Sequence, residues 1–223
     1  MLENLIPNWY RGGDELTLAL WATLQMVGIA GIISFILGTT FGVLLVVTKR
    51  GGLLENLFIY NLLDKTINGI RSIPFLILMI LLIPVSRAVV GTGIGVTGAI
   101  IPLVFGTTPF FARQIETAIA ELDAGLIEAA LAMGLSPLEI IFSVYLRESI
   151  PSIARVTQIT AINLIALTTF AGAIGAGGLG EFAIRFGHQM NLTDLLWVTI
   201  VIILILVSIV QGIGNMVIKW ATR

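Results

Sequence analysis

The sequence predicts an all-α integral membrane protein: five transmembrane helices, the N-terminus outside and the C-terminus cytoplasmic. Three observations carry this. Of the 223 residues, 57% are hydrophobic and only 11% charged, against about 25% charged in a soluble domain. The mean hydropathy is +1.03, which implies more apolar surface than a soluble fold of this size can hide. The apolar residues also gather into runs near the ~20-residue length of a membrane span. The composition excludes several functions. Twelve Lys and Arg against 13 Asp and Glu leave a net charge of −1, so there is no basic field for nucleic acid. The absence of Cys excludes a disulfide scaffold, a thiolate nucleophile and Cys-based metal sites. A lone His188 cannot form a His-rich metal site.

The start, Met1-Leu2-Glu3-Asn4, lacks a basic n-region, and no small-x-small cleavage site follows a short apolar core. The first apolar segment is therefore expected to be a retained helix. It is charge-free over about 16–48, too long for one upright span, so it is expected to tilt, kink or project. Gly38 and Gly42 within it make a small-xxx-small pattern that suits close helix approach. The second span is expected over about 66–86, after an amphipathic lead-in over 53–65 that lies at the interface. The third covers about 93–112 and contains Pro102 and Pro109. The fourth covers about 150–174, with Pro151 suited to a first helical turn. The fifth covers about 195–218.

The orientation follows from basic residues in short loops. Lys49, Arg50, Lys65, Arg113, Arg147, Arg155, Lys219 and Arg223 fall on one side of the five-span layout, and Arg11, Arg87 and Arg185 on the other. Eight against three places the first set in the cytoplasm. Arg71 stays in or near the second span.

Residues 113–149 are the one sizeable polar stretch, and they read as helix, turn, helix. Ile115, Ile119, Leu122, Leu126 and Ala130 recur at helical spacing. Gly134 and Pro137 interrupt them, and Leu138, Ile141, Phe142 and Tyr145 resume the pattern. On physical grounds alone the segment is either a docking hairpin for a soluble partner or a connector lying on the lipid surface. Glu128 is either a charged anchor or an ordinary solvated residue.

Glu128-Ala129-Ala130, three residues, Gly134, nine residues, then Val144-Tyr145-Leu146 resembles the EAA loop of ABC importer permeases, whose pattern is E-A-A-x3-G-x9-I-x-L-P. Val144 stands where the family has Ile, and Arg147 where it has Pro; Pro151 lies nearby. Arg71-Ser72-Ile73-Pro74-Phe75, Pro102, Pro109-Phe110 and Gly175-Ala176-Gly177-Gly178-Leu179-Gly180 look like the methionine-type branch, and the likeness covers about residues 15–218. The resemblance implies a single permease domain over 1–223 with the type I ABC importer architecture. It also implies a coupling segment over about 119–149. There Glu128, Ala129, Ala130 and Gly134 would enter a groove on an ATP-hydrolysing subunit. The small side chains make a smooth helix, and Gly134 can turn the chain with positive φ.

Several motifs exclude alternatives. Gly175, Gly177 and Gly180 match the dinucleotide fingerprint in letters only, since no strand precedes them. They and Gly178 are expected to form a flexible outer loop that contacts a binding protein, moves with a gate, or simply ends a helix. None of the three Lys follows a Gly, so the chain has no P-loop; ATP and Mg would sit on a partner ATPase, with no cofactor in this chain. No hydrolase motif appears. Polar residues within spans are informative because they are costly. Arg71 either faces an aqueous pathway, snorkels to the interface, or pairs with a carboxylate such as Asp64. Gln158, Asn163, Thr168 and Thr169 either line a pathway or bond between helices. Phe170 either closes an apolar gate in a dimer or packs against lipid and neighbouring helices. Arg185, His188, Glu181 and Asp194 form a polar outer side.

The resulting expectation is the permease subunit of an ATP-driven ABC importer in the bacterial plasma membrane, translocating methionine or related amino acids, and not itself an enzyme. Its partners would be the lipid bilayer, a second copy of itself, an ATPase dimer and an extracytoplasmic substrate-binding protein. A permease for another small solute and an ATPase-independent channel or carrier are the alternatives. Against a proton-coupled carrier, the span cores hold no Asp or Glu.

Overall fold

A computed structural model of the chain describes residues 7–222. The start Met1-Leu2-Glu3-Asn4 and the cytoplasmic charge assigned to Arg223 lie outside the described residues. The described residues are helical and contain no strand. In order the helices are α1 (Trp9–Thr48), α2 (Leu57–Arg71), α3 (Phe75–Val90), α4 (Gly95–Ala120), α5 (Ala124–Ala132) and α6 (Pro137–Ile140). Then come α7 (Ile150–Ala173), α8 (Gly178–Phe182) and α9 (Thr193–Ala221). Helix α6 widens into a π-helical turn over Ile141–Leu146, and α8 into another over Ala183–Gln189.

Helix α1 is a continuous rod of 40 residues, roughly 60 Å at 1.5 Å per residue. That is about twice a bilayer's hydrocarbon thickness, so it projects well past a single crossing. Helices α7 and α9 run over the residues of the fourth and fifth expected spans. The third does not stop at 112: α4 runs on to Ala120, so Arg113, Ile115 and Ile119 belong to the long helix and not to the polar hairpin.

The second expected span, 66–86, is divided in two. It is not one helix, because α2 and α3 meet at 108°. Pro74 lacks an N–H and disfavours helical backbone at Ile73. Ser72 closes α2 through its N–H to Asn68 O and Gly69 O, and Pro74 opens α3. The amphipathic lead-in therefore extends to Arg71. It begins at Asn56, whose side chain accepts from the Phe58 and Ile59 N–H groups.

The chain packs as two compact units, and four helices contribute to both. The first holds the chain up to Ile33, Ile73–Gly106 and Ala161–Val210. One of its clusters gathers Met26, Ala30, Met79, Leu103 and Leu164. The other gathers Leu16, Leu179, Phe182, Phe186 and Leu195, with the rings of Phe182 and Phe186 stacked at 4.6 Å.

The second unit holds Ser34–Ser72, Thr107–Thr160 and the chain from Gln211 onward. Here the paired glycines act as a close-packing seam. A Cβ on Gly38 would lie 2.6 Å from the Phe111 ring, and one on Gly42 would lie 2.6 Å from Ile115 Cβ and 2.7 Å from Ala112 O. Lipid tails are as apolar as Leu, so van der Waals fit holds these helices together, more than withdrawal from water. A step of four residues on α1 matches a step of four on α4, so the two helices run side by side in the same direction. Beside this seam Val46, Val47, Phe111, Ile115, Ile119, Ile141 and Tyr145 form the cluster that anchors the hairpin.

Candidate functional site: the helical hairpin and its neighbours

The hairpin has one more break than its apolar spacing suggests. Helix α4 ends at Ala120, and Asp123 then caps α5 by accepting from the Gly125 N–H at 2.8 Å. Helix α5 ends at Ala132 with Met133 as its C-cap, and Gly134 adopts φ +80°, the left-handed turn a Gly allows without strain. Ser136 and Glu139 form a reciprocal capping box. Ser136 N–H donates to Glu139 Oε2 at 2.8 Å, and Glu139 N–H donates to Ser136 Oγ at 3.4 Å. These bonds hold the Glu139 carboxyl below its usual pKa, chiefly through the Ser136 side chain. Pro137 starts α6 and does not break the pattern.

This geometry sorts the motif residues onto two faces. Ala130, Ile140, Ile141 and Tyr145 point inward, and burial raises the Tyr145 hydroxyl pKa. Glu128, Ala129 and Gly134 are exposed. Helix α5 seats Ala130 against its own unit and shows Ala129 outward. In the same hairpin Leu131, Met133, Leu138 and Phe142 are between 50% and 72% exposed. Large apolar side chains on a polar connector mark an interaction surface. The spacing had grouped Leu138 and Phe142 with Ile141 and Tyr145, which are in fact buried. Leu135, Leu138, Glu139, Phe142 and Ser143 line a shallow hollow there.

Arg71 is exposed at the last position of α2. The pairing with Asp64 is corrected. Asp64 and Glu116 both bind Arg113, which ties α2 to α4 inside the second unit. An ion pair between residues 49 apart in sequence has no local signal. On α7, Gln158 bonds across to Gln211 O at 2.9 Å, whereas the Thr168 and Thr169 hydroxyls turn back to Ile165 O of their own helix. Asn163 is half-buried. Phe170, 55% exposed, shares one outward stripe of α7 with Ala166 and Ala173.

The glycine segment packs closely against its neighbours. Gly175, Gly177 and Gly178 have φ of +87°, +83° and +83°. A Cβ on Gly180 would lie 2.3 Å from Thr169 O, and one on Gly172 would lie 2.4 Å from Glu181 N. Gly178, Leu179 and Gly180 are buried. Leu179 N–H donates to Thr23 Oγ1 at 2.9 Å, and Gly95 N–H donates to Gly175 O at 2.9 Å. Among the described residues no cluster of His, Asp and Glu could hold a metal ion.

Comparison with known proteins is consistent with this arrangement. Residues 38–219 match the family described as "Binding-protein-dependent transport system inner membrane component". The chain is 46% identical over 221 residues to the "Probable D-methionine transport system permease protein MetI" of Vibrio cholerae, covering 98% of each chain. It is 43% identical over 217 residues to the "Methionine import system permease protein MetP" of Bacillus subtilis, covering 97% of each. A solved structure of the "MetNI methionine ABC transporter" in inward-facing conformations superposes with a TM-score of 0.93 at 38% identity. That match covers 96% of this chain and 99% of the other.

Proposed function

The chain belongs to the family of binding-protein-dependent transport system inner membrane components, and on that premise we propose that two copies of it form the membrane pathway of an ABC importer for methionine. It is a multi-pass inner membrane protein and a permease subunit. ATP and Mg belong to an ATPase dimer that docks on the hairpin, and a substrate-binding protein delivers the solute on the opposite side. Closure of the ATPase pair moves the two hairpins together and turns the pathway outward.

The observation that carries this reading is the outward face of the hairpin. Glu128, exposed and without an ion-pair partner among the described residues, shares this short hairpin with the exposed side chains of Leu131, Met133, Leu138 and Phe142, a mix of charge and apolar area that suits a protein groove. The Phe170 stripe of α7 supplies the pathway side, with Asn163 on the same helix and Arg71 at the α2–α3 bend.

Contacts at the helix ends support five spans. Helices α1, α4, α7 and α9 are each long and apolar enough to cross. Asn8 donates its backbone N–H and its side-chain amide to Asp194 at 2.9 and 3.0 Å, so α1 and α9 begin side by side. An even number of crossings must separate those two starts. Helices α1, α4 and α7 supply three, and the α2–α3 pair is the fourth. Parallel packing of α1 and α4 asks for the same extra crossing between them. Helix α3, 16 residues and about 24 Å long, completes that crossing with modest thinning of the bilayer. With α9 as the fifth, the termini lie on opposite sides. The charge bias puts the N-terminus outside and the hairpin in the cytoplasm.

A single-Cys series tests the layout and the docking together, because the chain has no native Cys. In intact cells an impermeant thiol reagent should label Arg185→Cys and leave Lys219→Cys unlabelled. Leu131→Cys should crosslink to the ATPase in membrane vesicles. Labelling of position 219 from outside contradicts the layout, and an ATPase that never crosslinks to position 131 contradicts the docking face.

A further inference from the structure

We infer that a hollow beside the start of α1 is a headgroup site for a phospholipid bearing both a phosphate and a primary ammonium group. The hollow holds about 200 Å³ and is lined by Glu15, Leu18 and Ala22 of α1 with Gly178, Glu181 and Arg185. Two carboxylates and one guanidinium give its wall a net charge of −1. Arg185 donates one N–H to Glu15, and its guanidinium carbon lies 4.7 Å over the Phe186 ring, which fixes the plane of the fork. The Arg185 and Glu15 side chains are 47% and 46% exposed, so the pair faces the opening and does not seal it. Glu181 makes no ion pair among the described residues.

A ligand that fits must bring one anion and one cation. The remaining guanidinium N–H groups suit phosphate oxygens, which they bind in a planar fork. A primary ammonium has three donors to share between Glu15 and Glu181. A headgroup with only negative charge would set its phosphate against two carboxylates. A quaternary ammonium would offer them no N–H.

The surroundings favour a lipid over a free zwitterion. Leu18, Trp21, Ile29 and Ile32 are 69%, 61%, 48% and 65% exposed and recur at steps of three, eight and three. They make one apolar stripe leading from the hollow along α1, a track for acyl chains. Trp9 and Tyr10 are exposed at the start of the helix, and such residues settle at the headgroup level of a bilayer. The hollow is large enough for a headgroup and leaves the chains outside.

The test uses the full-length permease, stripped of endogenous lipid and titrated with phosphatidylethanolamine, phosphatidylglycerol or phosphatidylcholine of matched acyl chains, with binding read by native mass spectrometry. Phosphatidylethanolamine should bind about tenfold more tightly than phosphatidylglycerol, the size of one charge-assisted hydrogen bond. Glu181→Gln should shrink that ratio to about threefold or less while the lipid-free melting temperature stays at the wild-type value. Equal binding of the three lipids, or an unchanged ratio in Glu181→Gln, overturns the site. Free phosphoethanolamine, added at the lipid's concentration, should not displace it. Full displacement would assign the hollow to a soluble zwitterion and overturn the lipid assignment.

Discussion

Gly42→Leu should abolish recovery of folded permease. The Cβ of any residue at 42 would lie 2.6 Å from Ile115 Cβ and 2.7 Å from the Ala112 carbonyl oxygen. The carbonyl is backbone and cannot rotate away, so α1 and α4 must separate. Overpacking of this kind costs about 1–3 kcal/mol, and a Leu adds three carbons beyond the Cβ already in collision. No hydrophobic driving force in the bilayer compensates for the lost fit. Gly42→Ala should lower the yield, and Gly38→Ala should lower it less, because Gly38 meets the Phe111 side chain, which can shift. Gly28→Leu is the control, with no atom within 4 Å of its Cβ position on the same helix. The readout is monodisperse protein after size exclusion. Wild-type yield of Gly42→Leu would show that the seam is not close-packed.

Glu128→Lys should leave the permease folded and stop ATP-driven transport. Glu128 is exposed and has no ion-pair partner among the described residues, so the change should alter stability by no more than about 0.5 kcal/mol. A charged hydrogen bond to a partner contributes about 1.5–3 kcal/mol, and reversing the charge adds repulsion. Uptake should fall at least tenfold to a hundredfold. Gly134→Ala should act through the backbone. Its Cβ would meet nothing within 4 Å, so the whole cost is that of a left-handed φ, about 1–2 kcal/mol, in the turn that aims α5. Both variants should be read for yield and for uptake. Normal yield with wild-type uptake in Glu128→Lys would remove that residue from coupling.

Much of this was legible in the sequence. Helix α7 begins and ends within a residue of its expected span because Pro151 marks its first turn and a polar flank precedes it. The break at Ser72–Pro74 was not, because Ile73 and Pro74 sit inside a run whose hydropathy hides the backbone change. The pairing of Asp64 with Arg113 links distant residues and leaves no periodic trace. The glycines from 175 to 180 signal positive φ, but their close approach to Thr169 depends on a second segment of backbone. The spacing from Glu128 to Gly134 was readable in the sequence. Which of Ala129 and Ala130 faces outward depends on Asp123 starting a new helix, one short polar turn after α4.

The most direct test of the permease assignment is ATP-dependent accumulation of methionine in proteoliposomes holding this chain with its ATPase, supplied with binding protein and methionine. Accumulation that needs ATP, needs the binding protein and disappears in Glu128→Lys is the expected result. Methionine that equilibrates equally fast without the ATPase would contradict it, since the chain would then be a channel or carrier in its own right.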